Sequence, residues 1–173
     1  MKLIEPTMEY ARQIRAYRKE FLDSGDSMDG TSKLRHFDDP GDWIAYLDSQ
    51  KAPGIPDRRA PAEQYIFVRE EDRKIVGMID TRYILNDYLE KFGGNIGYSV
   101  APGERRRGYA SRMLHLVLPK FRDRGIGRVL VTCIKGNEGS RKTILKNGGI
   151  YESTVYEPDE DVDVERYWID LSR

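Results

Sequence analysis

Residues Asn95–Phe121 read NIGYSVAPGERRRGYASRMLHLVLPKF. The first six residues, NIGYSV, form a strand. Further on, Ala110, Met113, Leu114, Val117 and Phe121 fall at offsets of 0, 3, 4, 7 and 11, the core-facing stripe of a helix predicted over 106–124. Arg105, Arg106 and Arg107 lie at the junction, followed by the small residues Gly108 and Ala110. The first N–H groups of a helix lack internal acceptors, and the helix dipole makes that end partly positive. Gly108 has no side chain and Ala110 a short one, so an anion can reach the backbone there, while the arginines add donors and charge. The stretch reads as a seat for a pyrophosphate, with Tyr109 and Ser111 in the same helical turn.

Two common phosphate motifs are excluded. Gly103 and Gly108 have the GxxxxG spacing of a P-loop, but Tyr109-Ala110 stand where Lys-Ser/Thr should follow. Gly125-Ile126-Gly127 lacks the third glycine of a dinucleotide fingerprint and precedes a strand.

Composition narrows the choice further. The 173 residues suit a single domain, 1–173, with a sizeable core. Twenty-nine basic and 29 acidic residues leave no net charge, so any attraction for anions is local and a nucleic-acid partner is not expected. One cysteine, Cys133, in the apolar run VLVTCI, reads as core, and with two histidines it offers no metal set. No run approaches the ~20 apolar residues of a membrane span, and the start lacks a signal-peptide core. A cytoplasmic protein without a membrane partner is expected.

The remaining pattern gives an α/β domain. Residues 2–5 read as a strand and 7–23 as a helix with Tyr10, Ile14, Tyr17 and Phe21 on one face. A short helix is expected over 40–49. Residues 52–64, with Pro53, Pro56 and Pro61, read as a connector. Strands are expected at 64–70, 75–85, 95–100, 126–134, 150–157 and 164–171, with a helix over 138–147 closed by Gly148-Gly149. Pro119 falls inside the predicted 106–124 helix and is expected to kink or shorten it near His115.

Arg105-x-x-Gly108-x-Ala110, between a strand and a helix, resembles the R/Q-x-x-G-x-G/A signature of the GCN5-related N-acetyltransferase (GNAT) superfamily. Asn137-Glu-Gly-Ser140 followed by Lys146-Asn-Gly148 resembles the family's second segment. The likeness runs from about Tyr65 to Leu171. It implies a mixed, mostly antiparallel central sheet flanked by helices, with a splayed parallel strand pair. It also implies acetyl-CoA as cosubstrate and acetyl transfer to an amine. Arg105, Arg106, Arg107, Gly108, Tyr109, Ala110 and Ser111 would hold the pyrophosphate. Asn137 and Ser140 would lie along the pantetheine arm, and a backbone N–H near Val100 would polarise the thioester carbonyl.

The acid and base depart from the family pattern. The tyrosine seven residues after the matching Asn is here Ile144, and the glutamate that often opens the third strand is Asn95. A thiol of pKa ~8.5 leaves as thiolate for only about 1–2 kcal/mol near neutral pH, so an acid is dispensable. Tyr98 or Tyr151 could replace it, each also readable as a sheet-face aromatic. An alkyl amine of pKa ~10.4 must lose a proton at about 4–5 kcal/mol, and Asn95 can only orient a water for that step. Asp80, Asp87 and Glu104 are base candidates by neighbourhood.

Two acidic stretches, 157–165 and the seven aspartates between Asp23 and Asp48, would draw a cationic acceptor, such as a polyamine, an aminoglycoside or a basic peptide. The plainer reading of both is a solvated loop. A monomer or homodimer is expected. The losses at Ile144 and Asn95 keep a second function class open, a non-catalytic acyl-CoA-binding or sensor domain.

Overall fold

The computed structural model describes residues 1–51 and 60–172. The core of the expected proline-rich connector, including Pro53 and Pro56, lies outside the described residues. Strand β1 (Lys2–Ile4) leads through a short 3-10 turn into helix α1 (Ala11–Ser24), and helix α2 is Pro40–Ser49. Strands β2 (Ala62–Arg69), β3 (Lys74–Arg82) and β4 (Ile96–Val100) follow. Then come helix α3 (Tyr109–Arg122), strand β5 (Arg128–Ile134), helix α4 (Glu138–Lys146) and strands β6 (Gly149–Glu157) and β7 (Val162–Asp170). One mixed sheet runs in the order β1-β2-β3-β4-β5-β7-β6, and every neighbouring pair is antiparallel except β4–β5.

Strand alternation sorts the apolar residues onto two faces. Ile66, Val68 and Met78 bury one face beneath Ile14, Tyr17 and Phe21 of α1 and Trp43 and Leu47 of α2. Tyr65, Phe67 and Ile79 turn the other way, onto Met113, Leu114, Val117 and Phe121 of α3 and Ile144 of α4. The indole N–H of Trp43 donates to the Thr31 carbonyl at 3.0 Å, which satisfies its one polar atom inside the core.

Two local expectations are corrected. Helix α3 begins at Tyr109, not at residue 106, because Arg106 (φ +64°) and Gly108 (φ +79°) both take left-handed backbone that ends any helical run. Pro119 does not shorten the helix, which continues to Arg122. Pro119 and His115 both lie on the exposed side, so the carbonyl deprived of its N–H partner faces water.

The link between α1 and α2 crosses the centre of the sheet. Gly30 (φ +65°) lies so close to β4 that a Cβ there would sit 2.4 Å from the Gly97 carbonyl and the Tyr98 Cα. Its carbonyl accepts the Gln64 side-chain N–H at 2.9 Å. Gly30→Ala adds both a left-handed backbone penalty and a backbone overlap, and is expected to destabilise the fold by about 2–4 kcal/mol. A fall in the urea midpoint with unchanged slope would report it, whereas an unchanged midpoint would mean that this segment does not pack on β4 in solution.

Candidate active site

Strands β4 and β5 share one register pair, Ile96 with Val131, although β5 pairs with β7 along its whole length. Beyond that point the two halves of the sheet part. The Ala101 N–H donates to the Val76 carbonyl at 3.0 Å, which sets the phase of the β3–β4 ladder. Antiparallel bonding alternates, so Tyr98 and Val100 direct their backbone N–H and C=O groups away from β3, into the gap.

The gap leads to the N-terminus of α3. Gly108 caps that helix with no side-chain hydrogen bond, so the first N–H groups, from Tyr109, Ala110 and Ser111, point out of the helix unanswered by any carbonyl four residues earlier. A Cβ built on Gly108 would meet nothing within 4 Å, so the space before the helix is open. Arg106 and Arg107 are exposed beside it. Asn147 of the Lys146-Asn-Gly148 segment ties this turn to α4, donating from Nδ2 to the Ser111 carbonyl at 3.2 Å and to Ser111 Oγ at 3.1 Å.

Arg105 is placed differently from its neighbours. Its guanidinium turns back over β4, 2.7 Å from Asp26 and within 3.3 Å of the Val100 carbonyl. Arg107 lies 3.4 Å from Glu104, a carboxylate only 5% exposed. Glu104 also accepts from Arg69 Nη1 and Nη2, at 2.9 and 3.2 Å, and lies 3.3 Å from Lys74. The bonds from Arg69, followed by Lys74, hold its pKa below the usual carboxylate value against the opposing effect of burial. It is an ion-pair hub for the loop, and these cations occupy the lone pairs that a base would need free.

On the opposite wall Asn137 caps α4, its Oδ1 accepting the Ser140 N–H at 3.1 Å. Tyr98 reaches the same turn from β4, with its hydroxyl 2.8 Å from Ser140 Oγ. Burial raises the Tyr98 pKa far above that of free tyrosine, so the phenol stays protonated. Cys133, also on this side, is pushed up to about 11, by burial first and then by Glu165, which makes it a poor nucleophile and fits the core reading. Ile144 is fully buried in the core. Tyr151 is more than half exposed on β6.

Two further sequence expectations meet closed environments. Asn95 is 4% exposed, and both ends of its side-chain amide bond to backbone: Nδ2 to the Arg82 carbonyl at 2.8 Å, Oδ1 to the Leu130 N–H at 2.8 Å. In place of orienting a water, it joins strands. Asp80 is equally enclosed, 2.8 Å from Arg82 and accepting the Gly97 N–H at 3.1 Å. Asp87 lines a shallow depression with Glu90, Lys91 and Arg166. Among the aspartates before α2 and at its end, Asp23, Asp26, Asp38, Asp39 and Asp48 each pair with a lysine or arginine, so much of that charge is balanced locally. No cluster of three or more metal-ligating side chains occurs among the described residues, and no described helix is long and apolar enough to cross a membrane.

The acetyltransferase (GNAT) family model matches residues 13–148. The chain belongs to the GNAT acetyltransferase family, whose acetyl donor is acetyl-CoA. Its mixed seven-stranded fold matches the ribosomal-protein-S5-alanine acetyltransferase from Vibrio fischeri, with 16% identity, 98% of this chain and 92% of that chain covered, and a TM-score of 0.74. It also matches the microcin C7 self-immunity acetyltransferase MccE, solved with acetyl-CoA and AMP (18% identity, 97% and 91% covered, TM-score 0.68). A third match is a mutant form of the spermidine N-acetyltransferase SpeG from Vibrio cholerae (15% identity, 99% and 96% covered, TM-score 0.63). No curated protein matches the sequence.

The Glu104 hub gives a pH test. A carboxylate with a depressed folded pKa contributes stability above its unfolded pKa and loses it as pH falls through the folded value. Glu104→Gln is expected to lower the urea midpoint at pH 7, and the gap from the unaltered chain should close well below pH ~4. A gap that persists in acid would show that the effect is steric.

Proposed function

We propose that the protein is an N-acetyltransferase, a single domain that transfers the acetyl group of acetyl-CoA to a primary amine of a small molecule, peptide or protein. The observation that carries the reading is the uncapped, open N-terminus of α3, flanked by Arg106 and Arg107, at the end of a strand that has parted from its parallel neighbour. The pyrophosphate of the donor would lie against the N–H groups of Tyr109, Ala110 and Ser111 with Gly108 leaving room, and Arg106 and Arg107 would neutralise it. Arg105 would join them only by leaving Asp26. The pantetheine arm would run along the free edge of Val100 and Tyr98, past Asn137 and Ser140, and an N–H from that edge would polarise the thioester carbonyl.

The amine nitrogen attacks that carbonyl carbon, the C–S bond breaks, and the thiolate leaves while the amine proton passes to solvent. The Tyr98 hydroxyl is the candidate partner for the departing sulfur. Its raised pKa lies above the ~8.5 of a thiol, so it serves as a hydrogen-bond donor to the thiolate more than as a full proton donor. Tyr98→Phe is accordingly expected to lower kcat about tenfold or less, with little change in KM for acetyl-CoA, in a steady-state assay of CoA release. A loss of several hundredfold would make Tyr98 an obligatory acid.

A cationic acceptor fits the β6–β7 turn. The loop before β4, which carries Tyr88 beside Phe92, packs against β6, and after burial the charges of Glu157, Glu160 and Asp159 raise the Tyr88 pKa further. The vicinity would attract an ammonium group. A cytoplasmic setting suits the donor.

The decisive measurement is thermal unfolding with and without acetyl-CoA, against ATP and NAD. At 100 times its dissociation constant a ligand stabilises by about 2.7 kcal/mol, roughly 5–10 °C for a chain of this size. A shift of that order is expected with acetyl-CoA and is expected to vanish in Arg107→Glu and Gly108→Glu. No shift at saturation would leave the arginines as ordinary surface. CoA binding without release of free CoA in the presence of any amine would favour the non-catalytic sensor reading, which the core position of Ile144 keeps in view.

A further inference from the structure

We propose that Asn95 is a positioning residue for the acetyl donor: it fixes the vertex at which β4 and β5 part, and so sets the free edge of Tyr98 and Val100. The proposal rests on the acetyl-CoA reading above. Asn95 makes four bonds of nearly equal length. Its backbone N–H donates to the Leu130 carbonyl at 2.7 Å, and its side-chain Oδ1 accepts the Leu130 N–H at 2.8 Å. Its backbone carbonyl accepts the Arg82 N–H at 2.7 Å, and its side-chain Nδ2 donates to the Arg82 carbonyl at 2.8 Å. One residue therefore satisfies both backbone groups of a residue on β3 and of a residue on β5. Its side chain makes, on each side, a bond that a regular ladder would make with backbone.

The consequence is a sheet joined at one point. The vertex is tight: a Cβ on the preceding Gly94 would lie 2.6 Å from the Leu130 carbonyl. One residue after Asn95 comes the sole β4–β5 register pair, and past it the ladder stops. Because the vertex is closed by a side chain, β4 need not continue alongside β5. Three residues beyond Asn95 the outward N–H of Tyr98 is open to a ligand, and five beyond, that of Val100. The isosteric carboxylate cannot replace the amide: aspartate lacks the N–H for Arg82, and alanine lacks both partners.

The effect should appear on the pantetheine half of CoA and not on its nucleotide half. Calorimetry would compare CoA with adenosine 3′-phosphate 5′-diphosphate, which carries the pyrophosphate but no arm. Asn95→Asp is expected to weaken CoA at least tenfold while leaving the nucleotide unchanged. Unchanged CoA affinity would overturn the proposal. An equal loss for both ligands would also overturn it, since it would reflect general disruption. Absence of CoA binding by the unaltered chain would sink the functional reading and the proposal with it. A second measurement needs no variant. Amide exchange in the unaltered protein should show Leu130 strongly protected without ligand, and Tyr98 and Val100 becoming protected only when CoA is added. Rapid exchange at Leu130 in the free protein would show that Asn95 does not hold the vertex.

Discussion

The fold depends on a parallel strand pair that holds at one end and is open at the other. An open β ladder inside a sheet normally strands backbone donors and acceptors, each worth about 1–3 kcal/mol when buried and unpaired. Here the halves are self-sufficient. Strands β1 to β4 form one antiparallel ladder and β5 to β7 another, while apolar residues of both share the core cluster under α3. The bonds of Asn95 bind the two together where the sheet is closed, and solvent or a ligand can answer the groups where it is not. Helix α3 spans the division, because its buried stripe meets side chains from β2 and β3 as well as from β5 and β7. The gap can thus remain without the sheet coming apart.

The loop between β4 and α3 has the opposite problem: too much like charge in a small volume. Arg105, Arg106 and Arg107 are consecutive, and Arg69 and Lys74 approach from the neighbouring strands. Glu104 answers by burying a carboxylate among Arg69, Lys74 and Arg107, while Asp26 takes Arg105. Arg69 has Asp72 as a second partner at 2.7 Å, and Lys74 has Glu20 at 3.3 Å. A pair with one buried partner gains little over apolar packing, yet removing one member leaves the other charge uncompensated and is costly. The loop is held by its ions, and Arg106 and Arg107 retain exposed guanidinium groups.

Much of this was legible in the sequence, and the reason is range. The helix stripes of α1 and α3 and the span of α2 are set by residues within a few positions of one another, so spacing reveals them. The succession of helices and strands along the chain also follows from spacing, whereas the parallel pair is implied only by the family resemblance and the place of β7 between β5 and β6 by nothing local. The roles of Asn95 and Glu104 were not legible, because their partners lie far away along the chain: Leu130 is 35 residues from Asn95, and Arg69 is 35 residues from Glu104. A polar residue at the start of an apolar strand looks the same in sequence whether it faces substrate or clamps backbone. The start of α3 was misplaced for a different reason. Arginine has no intrinsic preference for left-handed backbone, and nothing local marked Arg106 as adopting it.

Arg105 connects the edge of β4 to the link between α1 and α2. Its guanidinium touches the Val100 carbonyl on the free edge of β4 and also Asp26, in the link that carries Gly30 over Gly97 and Tyr98. The backbone carbonyl of Asp26 in turn accepts Arg35, whose own carbonyl accepts Arg18 of α1 at 3.0 Å. An exposed pair such as Arg105–Asp26 contributes little to stability by itself, about 0–1 kcal/mol, so it can be exchanged for a phosphate at small cost. The same weakness that disqualifies it as a structural bond would let Arg105 turn from Asp26 to the phosphates of the proposed donor.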